Sequence, residues 1–313
     1  MSAMGSDALA RADAVLRQHG KTFAWARRFL GKRHAERATA LYALCRHLDD
    51  LADEAEDGVA AAASLTALRS QLTSGRSRDP LVAAVLEQAA GRADFRSAAA
   101  ALVDGVMGDL ADVAFESDRE LMRYCYRVAG TVGVMMCGAL DQPDPAALPF
   151  AVDLGIAMQL TNIARDVYED AQRGRRYLPA ELVDAATPRA LTELDDDVRA
   201  RACAARLKLL ARADLYYESG RRGLAYLPLR ARFAILIAAE NYRAIGGRVR
   251  ALGAAIEERA VVPRAAKVWI SARATAAAMA RPSFWMRPRA HDAALHEHLD
   301  GLGGANCEGG SRA

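Results

Sequence analysis

The sequence predicts an all-α protein: one helical bundle built around a central apolar cavity. Three observations predict it. Alternating Val, Ile and Thr runs are nearly absent, whereas Ala, Leu and Arg recur at helical spacing along almost the whole chain. Two otherwise apolar helices each carry a narrow stripe of acids. No linker divides the 313 residues, and a hydrophobic fraction of 52% is enough for one large core. Residues 1–300 are therefore taken as one helical domain, and the Gly-rich ending GLGGANCEGGSRA (301–313) as a disordered tail.

The first helix spans about Ser6 to His19, with Gly20 as a left-handed cap. In GKTFAWARRFL, Lys21 and Thr22 stand where a turn enters a short helix. They either offer amides, a hydroxyl and an ammonium to an anion, or are a solvated Lys and a capping Thr. The helix from about His34 to Glu56 places Tyr42, Arg46, Asp49 and Asp53 at steps of four, three and four, one narrow stripe, with Leu41, Leu44, Leu48 and Leu51 around it. Helices follow from Gly58 to Thr73, Pro80 to Ala90 and Asp94 to Phe115. In the last of these Asp104, Asp109 and Asp112 are assigned to a solvated face. The helix from Asp118 to Leu140 carries Gly130, Gly133 and Gly138, each costing roughly 1 kcal/mol against Ala. Close approach of another helix, or of a long flat substrate, accounts for them equally. Met135 and Met136 are assigned to the core.

The stretch from Leu154 to Pro179, LGIAMQLTNIARDVYEDAQRGRRYLP, is the most regular in its chemistry. Asn162, Asp166 and Asp170 stack on one face, Gly155 and Gln159 extend that stripe upstream, and Ile156, Leu160, Ile163 and Val167 lie around the helix from it. One such stripe is ordinarily a solvated face; two, on otherwise apolar helices, can face each other across an interior space. Their oxygen ligands suit Mg²⁺, with Mn²⁺ as the alternative ion. Arg46 and Arg165, each within a turn of an acid, serve as ion-pair partners or grip phosphate oxygens bidentately. Helices from about Asp195 to Gly220 and Leu229 to Leu252 complete the bundle, with Pro228 and Pro263 at boundaries.

These residues carry a resemblance. The chain resembles the squalene and phytoene synthase family, with DDLAD (Asp49 to Asp53) as a first aspartate-rich motif and NIARDVYED (Asn162 to Asp170) as a second. YCYRVAGTVGVMMCGAL and the R-x-Y-x-P ending at Arg175, Tyr177 and Pro179 match further signatures, and the likeness runs from about Gly20 to Lys267. It implies an isoprenoid-synthase-type bundle in which two prenyl diphosphates join head to head through a cyclopropyl diphosphate. It makes Lys21, Thr22, Tyr42, Arg46, Gln159, Arg165, Tyr242 and Arg259 diphosphate ligands, and Asp49, Asp53, Asn162, Asp166 and Asp170 metal ligands. Tyr126, one turn before Gly130, would turn its hydroxyl to a diphosphate or its ring to a carbocation. Within the family the wording is most like bacterial phytoene synthases, acting on geranylgeranyl diphosphate without NADPH. A thirty-carbon dehydrosqualene or squalene-pathway synthase using farnesyl diphosphate, and a non-catalytic assembly relative, are the alternatives.

Composition excludes other classes. A net charge of +3, with Arg spread along the chain, argues against a nucleic-acid partner. Five cysteines without C-x-x-C spacing indicate neither a disulfide framework nor a zinc site, and place the chain in a reducing cytoplasm. The opening MSAMGSDALARADAVL breaks each apolar run with charge and is not a signal peptide by pattern. Because substrate and product are greasy, peripheral contact with the inner face of the cell membrane and hand-over to a carotenoid desaturase are expected. No Glu-x-x-His pair supports a bundle metal oxidase.

Overall fold

The computed structural model describes residues 6–53, 57–89 and 91–305. Fifteen α-helices follow one another in that span: α1 (Ser6–His19), α2 (Lys21–Ala26), α3 (Lys32–Asp53), α4 (Gly58–Ser74), α5 (Pro80–Gln88), α6 (Ala93–Gly108), α7 (Asp118–Cys125), α8 (Thr131–Ala139), α9 (Leu148–Gln172), α10 (Ala180–Val183), α11 (Pro188–Glu193), α12 (Asp196–Gly223), α13 (Leu229–Leu252), α14 (Arg264–Met279) and α15 (Pro282–Trp285). Among the described residues the only β contact is a single bridge between Ala114 and Arg176. Local sequence sets many of the ends. Asp57, Asp79, Ser117, Thr187 and Asp195 accept hydrogen bonds from the amides of the turns they open. Gly75 closes α4 in the left-handed region.

Helix α9 is the axis of the bundle, packed against α8, α12 and α13. Its Ile156, Leu160, Ile163 and Val167 are buried, as the apolar pattern predicts. By length and apolarity it would pass for a membrane span, but most of that window lies inside the protein. Helix α9 packs closely on α8 and on the turn just before it because glycines make the contacts. A Cβ on Gly133 would stand 2.1 Å from the Ala151 carbonyl oxygen, and one on Gly155 would stand 2.2 Å from that of Ala129. Helix approach therefore explains these residues. Gly155→Ala is expected to lower Tm despite Ala's better helix propensity, because backbone, unlike a side chain, cannot rotate away; overpacking of this kind costs about 1–3 kcal/mol. A thermal melt equal to wild type would contradict the close contact.

Four expectations are corrected. Gly20 is not left-handed (φ −108°); it caps α2, and a Cβ there would meet the Tyr42 ring at 2.7 Å. The helix expected to reach Phe115 stops at Gly108, and the one expected from Asp118 to Leu140 is interrupted by a π-turn over Tyr126–Gly130. The tail does not begin at 301: Ala305 is fully buried, Leu302 packs on the core and the Gly303 carbonyl accepts from Tyr126, while residues 306–313 lie outside the described residues.

That ending is clasped to α9. Asp153, fully buried, accepts from His291 Nε2 and His296 Nε2 at 2.7 Å each, and His296 Nδ1 bonds the Ala305 carbonyl. Cys45, Cys125, Cys137 and Cys203 are free thiols.

Candidate active site

A cavity of about 790 Å³ runs beside α9. Phe150, Leu154, Met158, Gln159, Asn162 and Arg165 line it in turn. These fifteen residues of rise make one wall about 22 Å long, apolar at its start and polar at its end. The apolar end is completed by Leu140, Ala147, Leu224, Leu227 and Ala234, the middle by Ala129, Val132 and Met136. Met136 packs against the core, as expected, and also lines the cavity, and Met135 is fully buried in the core.

The polar end gathers Lys21, Thr22, Tyr42, Arg46, Asp49, Gln159, Asn162, Arg165, Tyr242 and Arg259. Phe23 of α2 packs between Tyr42 and Tyr242, with ring centroids 5.8 and 5.2 Å away, and so brings the phenols of α3 and α13 together. Lys267 joins them and donates to Thr22 Oγ1 at 3.1 Å. Burial and the neighbouring Lys21 charge both lower the Lys267 pKa, the signature of cations held together with nothing negative between them. Sequence reasoning passed over Lys267, which lies at the edge of the family likeness.

Both acid stripes border this end. Asp49 is open to the cavity yet surrounded by protein; desolvation, then the Asp53 charge, push its carboxyl up to about 7. Asp170 is likewise pushed up to about 7 by burial and Asp166. Asp53 accepts from Arg175 at 2.7 Å. Asp166 is gripped bidentately by Arg165 at 2.7 and 2.5 Å and touched by Arg259 at 3.2 Å. Arg46 pairs with Asp50, leaving its Nε buried without a hydrogen-bond partner. The Asn162 carbonyl oxygen is also buried and unpartnered. Acids raised by burial and by one another's charge, beside an orphaned amide oxygen, are an all-oxygen set that fits a hard divalent cation.

Two assignments change. Asp109 is not on a solvated face: it follows the last residue of α6 and accepts from Tyr124 and Tyr177 at 3.1 Å each. Burial outweighs these bonds and Arg175 and pushes its carboxyl up to about 6, as a third component of the acid cluster. Asp104 pairs with Arg69 at 2.6 Å on the surface, and Asp112 is exposed, as expected. Tyr126 points away from the cavity and donates to Gly303 at 2.5 Å. Tyr124 instead faces the acids, stacked with Phe115 and Tyr177. Arg176 holds this corner together: its backbone pairs with Val113 and Phe115 and its buried guanidinium donates to Phe115 and Leu178 carbonyls. Arg173 and Arg175 are thereby left to the acids.

Known proteins share this chain's sequence pattern and fold. The family model described as squalene/phytoene synthase matches residues 16–266. A 15-cis-phytoene synthase from a Paracoccus species is 36% identical over 304 residues, covering 90% of this chain and 99% of that protein. A phytoene synthase from Rhodobacter capsulatus is 34% identical over 307 residues, covering 91% and 89%. Among solved structures, a ligand-bound dehydrosqualene synthase superposes with a TM-score of 0.77 at 28% identity, covering 87% of this chain and 97% of that one. A matched family model over most of the chain, relatives above 30% identity over about nine-tenths or more of their length and a shared fold together make this chain a member of the squalene/phytoene synthase family.

Proposed function

We propose that the chain joins two geranylgeranyl diphosphates head to head, through a cyclopropyl diphosphate, to phytoene, releasing both diphosphates. The observation that carries this reading is one cavity with a basic cluster, Asp49 and Asn162 at one end, the remaining acids of both stripes beside them, and an apolar wall beyond. The relatives named above support phytoene as the product. Lys21, Thr22, Arg46, Arg165, Arg259 and Lys267 bind and orient the diphosphates, with Tyr42, Gln159 and Tyr242 between them. The wall of Leu, Ala, Met and Phe side chains excludes water, so a carbocation is captured by carbon rather than by solvent. Asp49, Asp53, Asn162, Asp166 and Asp170 would hold Mg²⁺, or Mn²⁺ in the same oxygen set. An ion held by these residues would supply charge neutralisation for the departing diphosphate. The final proton loss needs no reductant, so no NADPH is required. The enzyme acts in the cytoplasm at the membrane that dissolves its product, where a desaturase takes it up.

Incubating the protein with Mg²⁺ and geranylgeranyl or farnesyl diphosphate, without nicotinamide, tests the reading by the mass of the extracted product. A forty-carbon hydrocarbon supports it. A thirty-carbon product from farnesyl diphosphate alone favours the second reading, which the superposed dehydrosqualene synthase supports. Cavity length decides between them. Ala234 lies in the apolar end and is almost fully buried. Ala234→Phe is expected to cut geranylgeranyl turnover at least tenfold while sparing farnesyl turnover, since a full chain loses its place at the end of the cavity. Equal loss on both substrates would show that Ala234 does not limit chain length. With both acid stripes intact, the non-catalytic assembly reading has no support in the site.

A further inference from the structure

The outer face of α14 and its continuation into α15 belong to no site described so far. Six of the eleven exposed large apolar side chains among the described residues fall between Val261 and Met286. Trp269 and Met286 are each 68% exposed, and Val268, Met279 and Trp285 about half. At roughly 100° per residue, Val268, Met279, Ala272, Ala265, Ala276 and Trp269 fall in that order across about 100° of the α14 surface. Arg264 borders this stripe on one side and Arg273 on the other. The Trp285 indole donates to the Met279 carbonyl at 3.0 Å, which joins α15 to the same patch.

Charge distinguishes this surface from an ordinary protein contact. The chain as a whole balances 42 Lys and Arg with 39 Asp and Glu. From Ala260 to Ala290 there are six cations (Arg264, Lys267, Arg273, Arg281, Arg287 and Arg289) and no acid. Among the described residues, Arg264, Arg273 and Arg289 make no ion pair. Asp144 pairs with Arg287 at 3.0 Å, at the far end of the segment. An apolar strip with two Trp, edged by the unpaired Arg264 and Arg273 on a segment that carries no acid, matches the interfacial zone of a bilayer with anionic headgroups.

Its position fits that partner. Ala260, Val261, Val262 and Lys267 line the catalytic cavity at its polar end. Ala274 and Ala278, on the inner side of α14, pack with Leu224, Leu227 and Ile235, which line the apolar end. Helix α14 thus lies along the cavity with its other face bare. We propose that this face, from Val261 to Met286, docks the protein on an anionic lipid surface so that the cavity lies directly over the bilayer. That the cavity over the bilayer is a catalytic one rests on the prenyl transferase reading; the docking itself does not.

The test is flotation of the full chain with vesicles of neutral phosphatidylcholine or of phosphatidylcholine with 30% phosphatidylglycerol, alongside Trp269→Glu/Met279→Glu and Arg273→Gln/Arg281→Gln. Wild type is expected to float with the anionic vesicles and to detach as salt rises. The Glu pair should lose at least tenfold in partitioning, and the Arg pair about fivefold per cation removed. Product formation in detergent micelles should be unchanged in both variants, which shows them folded. Wild type that fails to float, or variants that float equally well, would overturn the proposal. So would sedimentation showing a dimer that the Glu pair dissociates, since the occupant would then be a second copy. No product from wild type in micelles, with flotation intact, would defeat the catalytic reading and leave the docking surface standing.

Discussion

Asp166→Asn is expected to reduce product formation by more than about a hundredfold, since even partners outside the ligand shell of a metal cost 10–100-fold when removed. Asp166 is the point where three things meet: the second acid stripe, the bidentate Arg165 and Arg259. Removing its charge weakens the proposed metal-ligand set and leaves Arg165 without its bidentate counter-ion and Arg259 with Glu169 alone. Asp49→Asn is expected to cost as much in activity but to behave differently in stability. Asp49 is desolvated by burial and crowded by Asp53 and Asp109, so its ionised form is unfavourable in the fold. Neutralising it without Mg²⁺ should therefore hold or raise Tm, the usual sign that a catalytic group is kept at the expense of stability. Product by mass and thermal melts in chelator check both. Asp166→Asn with turnover within threefold of wild type would remove the two-stripe site from the mechanism, and Asp49→Asn with a clearly lowered Tm would show that Asp49 has a stabilising partner.

What the sequence made legible is what depends on period. Asn162, Asp166 and Asp170 project together because α9 is an unbroken helix, and Tyr42, Arg46, Asp49 and Asp53 because α3 is. The bounds of α13 follow from Pro228 and come out as expected, Leu229–Leu252. Period says nothing once a helix ends, so Asp109, one residue beyond α6, was placed on a face that does not exist there. Nor does it say which side of a helix apolar all round meets the cavity. Tyr124 and Tyr126 are two residues apart and hence on different faces, and only the fold shows that the first meets the acids and the second the chain ending. The glycines of that ending make it read as a disordered tail. Leu302 and Ala305 bury themselves among them, and the groups that receive this segment, Asp153 above all, stand about 140 residues upstream.

Asp153→Ala is expected to be the most destabilising single change outside the core hydrophobics. A fully buried carboxylate faces two histidines, each on its own oxygen at a hydrogen-bond distance of 2.7 Å, with the rings 4.4 Å apart and Phe150 edge-on to His291. Both nitrogens of His296 face acceptors, the carboxylate and the Ala305 carbonyl, so the ring is fixed from both sides. Breaking a buried charged pair by removing one partner typically costs about 3–5 kcal/mol, because the other is left uncompensated. Burial alone pushes the Asp153 carboxyl up, but the bonds from His291 and His296 outweigh it and hold the group below the ordinary aspartate range. A carboxyl with a depressed folded pKa contributes stability that is complete above its unfolded value of about 3.9 and lost as the pH falls through the folded one. The gap in Tm between wild type and Asp153→Ala should therefore be full at pH 7 and narrow only below about pH 4. Hydrogen exchange should show residues 291–305 losing protection first, since two of the three clasp groups lie there. A gap that persists unchanged at pH 3 would mean that packing, and not the ionised carboxylate, holds the chain ending to α9.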